Sequence, residues 1–235
     1  MEPFFFHPDL SSPTLVLDPE EAHHALKVKR KKVGDLLWLT DGAGHLAKAI
    51  IAHISKERCE VRILDLQAAS RPVWGIHLAI APPKHPNRLE WLVEKLTEIG
   101  VGQITFLKTH YTEKLGLKWE RLEKIAQSAL KQSRQVWQPA LKPMAEIAAF
   151  LEEMGSFNGQ KCIAYAAAQN SPLAQILQKQ QSVCILVGPE GDFHPQEIAM
   201  AQAQGFLGVR LAESILRTET AGLVACQTVQ IINQI

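Results

Sequence analysis

Val183-Cys184-Ile185-Leu186-Val187 runs straight into Gly188-Pro189-Glu190-Gly191-Asp192, and that junction decides the fold. Five successive apolar residues with no polar alternation mark a strand buried on both faces, as in a parallel sheet. Two glycines then allow close backbone approach to a ligand, and a proline stiffens the loop between them. The loop lacks the Gly-Lys-Ser/Thr ending that cradles phosphates, and Glu190 and Asp192 would repel a phosphate. A neutral or cationic ligand suits it better. Without a ligand it reads as a tight strand-to-helix turn.

Outward from this junction, strands and helices alternate from Trp74 to the end of the chain. Gly75–Ala81 is a short apolar strand ending in Pro82-Pro83. Leu89, Leu92, Val93, Leu96 and Ile99 repeat at helical spacing, predicting a helix over Asn87–Ile99 with Asn87 as cap, Glu90 at the capping-box position and Gly100 as stop. Val101–Leu107 reads as a strand and Trp119–Val136 as a helix stopped before Pro139. Cys162–Ala166 reads as a strand, with a helix opened by Ser171-Pro172 after it. Gln196–Gln204 is helical, Gly208–Leu211 strand-like, and Thr220–Asn233 a closing helix. The alternation implies a parallel sheet covered on both faces. Ligands on such sheets bind beyond the carboxyl ends of the strands, which directs attention to the loops after Val187 and Leu211.

Residues 1–70 read differently. Leu36–Thr40, the turn Asp41-Gly42-Ala43-Gly44 and Ala47–Ile54 form a hairpin, and Cys59–Leu66 adds a third strand. Gly42–Ala47 also satisfies the dinucleotide pattern GxGxxA, but a strand follows it where a helix is required, so it is read as the hairpin turn. Ala69-Ser70-Arg71-Pro72 is a linker. Two domains are therefore expected, 1–70 mostly β and 71–235 α/β.

The chain has 235 residues, 46% hydrophobic and 21% charged, the composition of an ordinary globular protein. No apolar run approaches a membrane span. Met1-Glu2-Pro3 followed by Phe4-Phe5-Phe6 carries no basic leader, so a cytoplasmic protein is expected. Cys59, Cys162, Cys184 and Cys226 form no metal-ligand spacing, the nine histidines are scattered, and neither HExxH nor GxSxG occurs, so no metal is expected.

The net charge of +1 conceals an asymmetry. Nine basic side chains face ten acidic ones in residues 1–70, twelve face six in 71–143, and four face eight in 144–235. Lys27-Val28-Lys29-Arg30-Lys31-Lys32 alone places five positive charges in six residues. Taken singly such a cluster is a solvated loop or helix face; two basic regions in one chain point to nucleic acid. In the loop after Leu211, Thr218 and Thr220 suit helix capping. Arg217 suits it less well, and a guanidinium at a strand's carboxyl end can stabilise negative charge on a bound base or bind a phosphate.

Leu186–Phe193 together with Ile215-Leu216-Arg217-Thr218-Glu219-Thr220-Ala221 resembles the RsmE family of 16S ribosomal RNA uridine-N3 methyltransferases, of the SPOUT class. The likeness extends along the chain: His24, Arg30 and Gly34-Asp35 resemble the family's N-terminal PUA-like domain, Glu94–Val101 its "QKatELGV" helix, and Gln132-Ser133 its "EQS" segment. The resemblance implies a SPOUT-type α/β knot, a parallel sheet with a deep trefoil knot, preceded by a small PUA-like β-barrel. It further implies a homodimer, S-adenosylmethionine as cofactor, and 16S ribosomal RNA in the small subunit as partner. Carried over, Leu186, Val187, Gly188, Glu190, Gly191, Leu211, Ile215 and Leu216 would cradle the cofactor, and Thr218, Thr220 and Ala221 would close the pocket. Arg217 would stabilise the uracil anion. A carboxylate or an RNA phosphate would accept the proton; Glu190 and Glu219 are the candidate carboxylates, with cofactor contact and helix capping as their alternative roles. His24, Lys27, Lys29, Arg30, Lys31 and Lys32, with Lys84, Arg88, Lys95 and Arg134, are the candidate RNA contacts. The chain departs from the family at Asp192, where a glycine is usual, at Ala212, at Ser214, and at His110-Tyr111, where Glu-Arg is usual. A transfer RNA or other RNA target, or an RNA-binding relative without turnover, are the alternative functions.

Overall fold

A computed structural model describes residues 4–56, 58–113, 116–167 and 170–234. The chain divides into two compact units, Met1–Arg71 with Gln127–Gln138, and Pro72–Ala126 with Pro139–Ile235.

In the first unit, β1 (Phe5–Phe6) and β2 (Thr14–Val16) are short edge strands, and α1 (Pro19–His23) follows them. The expected hairpin is β3 (Leu36–Thr40) and β4 (His45–Ser55), with β5 (Arg58–Ala68) as the third strand. The curled sheet has the order β1-β3-β4-β5-β2. Alternate side chains of β3 and β4 (Leu37, Leu39, Ala47, Ala49, Ile51) form its core with Phe5, Leu15, Ala22, Ala25 and Val61. The Asp41 carboxylate accepts from Ala43 N at 2.8 Å and His45 N at 3.1 Å, which makes Gly42–Gly44 the hairpin turn and not a nucleotide loop. The basic run ends a helix: α1, capped by Asp18, passes into a π-helical turn over His24–Val28, and Arg30 turns the chain with φ of +54°.

The second unit is built on β6 (Ile76–Ile80), α2 (Pro86–Glu98), β7 (Gln103–Lys108), the part of α3 (Trp119–Ser133) up to Ala126, β8 (Ala140–Glu146), α4 (Ile147–Glu153), β9 (Gln160–Ala164), β10 (Ser171–Pro172), α5 (Leu173–Ile176), β11 (Val183–Val187), α6 (Pro195–Ala203), β12 (Leu207–Arg210) and α7 (Thr218–Gln234). All seven strands are parallel, in the order β10-β12-β9-β11-β6-β7-β8. Later strands are thus inserted between earlier ones: β11 lies between β6 and β9, and β12 between β9 and β10. The all-apolar reading of β11 is explained by cores on both faces. Val183, Ile185 and Val187 pack with Leu92, Leu96, Ala225 and Val229 on one side. Cys184 and Leu186 pack with Phe150, Leu151 and Phe206 on the other. All four cysteines are buried free thiols, and burial pushes the Cys162 thiol up to about 12, so none is poised as a nucleophile.

Several boundaries differ from expectation. The helix after β6 starts at Pro86 with His85 at its cap, because proline at the first position fixes the entry. Glu90 then has no capping role and pairs with Arg121. The third helix ends at Ser133, where Arg134 takes a φ of +60°. Ser171-Pro172 pairs as a short strand with β12, and only one helical turn follows. The last helix opens two residues early, at Thr218.

Candidate active site

The register aligns the carboxyl ends of the central strands: Val187 lies opposite Ile80 on one side and Ala164 on the other, and Ala164 opposite Val209. Three loops leave this common edge and enclose a cavity of about 540 Å³. The loop after β11 contributes Gly188, Pro189, Glu190 and Asp192. The loop after β12 contributes Leu211 to Leu216, and the first turns of α7 contribute Thr218 and Ala221. The third wall, Tyr165-Ala166-Ala167 after β9, carries no motif that sequence reasoning singles out.

Asp192 occupies the left-handed region, with φ of +63°, a conformation that favours glycine over a residue with a Cβ. Its carboxylate offsets the strain locally. Oδ1 accepts from Phe193 N at 2.8 Å, and Oδ2 accepts from Ala166 N at 3.2 Å, tying the β9 loop to the β11 loop. Glu190 accepts from Lys84 N at 3.3 Å, and the Lys84 ammonium lies 2.6 Å from Glu113, which raises its pKa. The wall therefore holds carboxylates at Glu190, Asp192 and Glu213, the last paired with Arg210, which also lines the cavity, beside the apolar Val187, Leu211, Ile215, Leu216 and Ala221. Ile215 is 95% exposed, so this rim leaves apolar surface for a ligand to cover. Such a mixture of apolar walls, strand-end backbone groups and carboxylates fits a cationic nucleoside-sized ligand.

Of the residues expected to bind cofactor, Val187, Gly188, Glu190, Leu211, Ile215, Leu216, Thr218 and Ala221 line the cavity. Leu186 is fully buried with its side chain in the core behind the sheet. Gly191 and Thr220 lie outside the lining. Arg217 is exposed and also outside the lining, between Leu216 and Thr218, which are in it. Glu219 is buried, its Oε1 lies 3.5 Å from Arg88 Nε, and its Oε2 has no partner among the described residues. Arg88 is thereby turned to this carboxylate.

Among the other expected RNA contacts, Lys95 is held between Glu94 and Glu98, which raise its pKa. Lys27, Lys29, Arg30 and Lys32 belong to the exposed or half-exposed surface of the first unit. Lys31 reaches Leu36 O at 3.4 Å, and Arg134 is half-buried in the first unit. His24 is tucked against Phe5 at 5.6 Å, and burial lowers its pKa. No group of three metal-ligating side chains exists among the described residues, and no described helix is long and apolar enough to cross a membrane.

A family model described as an RNA methyltransferase domain matches residues 69–230, and one described as an RNA methyltransferase PUA domain matches residues 17–64. Ribosomal RNA small subunit methyltransferase E of Bacillus subtilis (strain 168) is 30% identical over 234 residues, spanning 93% of this chain and 90% of that protein. Among solved structures, a probable rRNA-methyltransferase from Porphyromonas gingivalis superposes with a TM-score of 0.91 at 38% identity, over 99% of this chain and 98% of that one. A ribosomal RNA small subunit methyltransferase E from Neisseria gonorrhoeae, bound to S-adenosyl methionine, superposes with a TM-score of 0.88 at 28% identity and the same coverage. The fold class is accordingly the SPOUT-type α/β knot with an N-terminal PUA-like domain. By the domain match over most of its length and by its full-length relatives, the chain belongs to the ribosomal RNA small subunit methyltransferase E family.

Proposed function

We propose that the chain transfers a methyl group from S-adenosylmethionine to N3 of a uridine in 16S ribosomal RNA of the small subunit. The carrying observation is the cavity where the Gly188–Asp192 loop and the Leu211–Ala221 segment meet at one sheet edge. In this reading residues 1–70 hold RNA and 71–235 perform the chemistry. A homodimer, implied by the family resemblance, and the expected cytoplasmic location belong to the same reading.

When bound, S-adenosylmethionine supplies a methyl group activated by its sulfonium. Glu190 and Asp192 favour a cationic ligand electrostatically, Glu213 being paired with Arg210, and the apolar wall excludes water from it. In-line displacement makes positioning the dominant contribution, and the loops tied through Asp192 supply it. N3 of uracil carries a proton at neutral pH, and its removal leaves negative charge shared with O2 and O4. Arg217, exposed beside the lining, is suited to stabilise that charge. Glu190, in the lining, is the better placed of the two candidate proton acceptors, because Glu219 is buried against Arg88. Calorimetry should show S-adenosylmethionine binding by the intact chain. Arg217→Ala should keep that binding while lowering turnover on ribosomal RNA about 100-fold. Full turnover with full RNA affinity in Arg217→Ala refutes its role; absence of donor binding in the native chain refutes the activity.

A further inference from the structure

Against Gly191 of the Gly188–Asp192 loop, three aromatic rings meet. His110 lies 4.6 Å from Tyr111 at an interplanar angle of 87° and 4.7 Å from His194 at 45°; Tyr111 and His194 are 6.2 Å apart. Tyr111 is 47% exposed. Its Cβ and Cγ both come within 3.3 Å of where a Cβ on Gly191 would stand, so the ring is seated directly on the loop whose other residues line the cavity.

The cluster is held rigidly from beneath. Glu197, buried at 6% exposure, accepts from His110 N through Oε1 and from His194 N through Oε2, both at 2.8 Å. One carboxylate thus fixes the two loops that carry the rings. Thr109 and Thr112 brace the turn, with their hydroxyls 2.7 Å apart. A large aromatic left half in water on so constrained a backbone is arranged to contact something outside the chain.

Resting on the proposed function, we infer that Tyr111, backed by His110 and His194, is a stacking ledge for an unpaired base of the RNA substrate, next to the base that enters the cavity. Methylating a base edge requires taking that base out of its stack, which leaves a neighbouring base without a partner. An aromatic face replaces that partner irrespective of sequence. The basic surplus of the 71–143 stretch, to which Tyr111 belongs, favours an RNA occupant electrostatically.

The test compares Tyr111→Ala with Tyr111→Phe in the intact chain. Methyl transfer to small ribosomal subunits gives KM and kcat, filter binding gives RNA affinity without turnover, and calorimetry gives S-adenosylmethionine affinity. Removing one stacked base should raise both KM and Kd for RNA roughly 5- to 100-fold in Tyr111→Ala. Tyr111→Phe should stay within about twofold of the native chain, because the ring face is retained. Donor affinity should be the same in all three. Unchanged RNA affinity in Tyr111→Ala overturns the ledge. So does an equal fall in donor affinity, which would mean the ring merely supports Gly191, or a changed oligomeric state by light scattering, which would make the cluster a contact between copies of the chain. A native chain that binds RNA but transfers no methyl group refutes the activity alone, since the ratio of RNA affinities still tests the ledge.

Discussion

Asp192 allows strain and hydrogen bonding to be separated at the edge of the cavity. Its φ of +63° places a Cβ-bearing residue in the left-handed region, at a cost of about 1 kcal/mol. Against this, its carboxylate accepts from Phe193 N at 2.8 Å and Ala166 N at 3.2 Å. At a half-buried site each bond contributes about 1 kcal/mol. Asp192→Ala loses both bonds and keeps the strain, so it should be less stable than the native chain by about 2 kcal/mol. Asp192→Gly also loses both bonds but relieves the strain, and should be less stable by only about 1 kcal/mol. Urea melts of the intact chain give these differences as midpoint shifts at constant m. Both variants cut the tie between two cavity walls, so S-adenosylmethionine affinity should fall by a similar factor, about fivefold, in each. A glycine variant less stable than the alanine variant would refute the strain argument. Two variants as stable and as tight-binding as the native chain would refute the tie.

Three other outcomes are expected. His77 is buried against Thr105 and Phe150, and desolvation lowers its pKa from 6.5 to about 4. The unfolded chain therefore binds more protons than the folded one between those values. This contribution, roughly 3 kcal/mol in all, is full above pH 6.5 and is lost as pH falls toward 4. The pH slope of stability over that window should flatten in His77→Gln; an identical slope would contradict it. Gly44→Ala would place a Cβ 2.1 Å from the Trp137 ring at a φ of +98°, costing about 3 kcal/mol or more, visible as a lowered Tm of the unit that contains it. Replacing Lys27, Lys29, Arg30 and Lys32 together by alanine should reduce the salt slope of RNA affinity by about 0.7–0.9 for each phosphate that is no longer neutralised. An unchanged slope would remove this run from the RNA interface.

Elements whose pattern reflects their own burial are readable from sequence. β11 is buried on both faces and reads as continuously apolar, while α2 buries a single stripe and reads as Leu89, Leu92, Val93 and Leu96. β8 and α4 escape such a reading: β8 is an edge strand with a largely unburied pattern and a proline at position 143, and α4 has only seven residues. The insertion of β11 and β12 between earlier strands is set by tertiary pairing and leaves no trace in any one segment. Two of the three cavity loops are visible in the sequence, because glycines, a proline and a lone arginine distinguish them. The third is not, since Tyr165-Ala166-Ala167 contributes shape and backbone but no diagnostic side chain. Arg88 and Lys95 illustrate a different limit. Their charges suggest RNA, but pairing with Glu219 and with Glu94 and Glu98 follows only from the three-dimensional neighbours.

The central claim is tested most directly by incubating the intact chain with labelled S-adenosylmethionine and unmodified small ribosomal subunits, with transfer RNA in parallel. Each RNA is then digested to nucleosides for mass spectrometry. Labelled 3-methyluridine from the subunit RNA, and none from transfer RNA, is the predicted result. Label in transfer RNA, in a different nucleoside, or in neither RNA would contradict it.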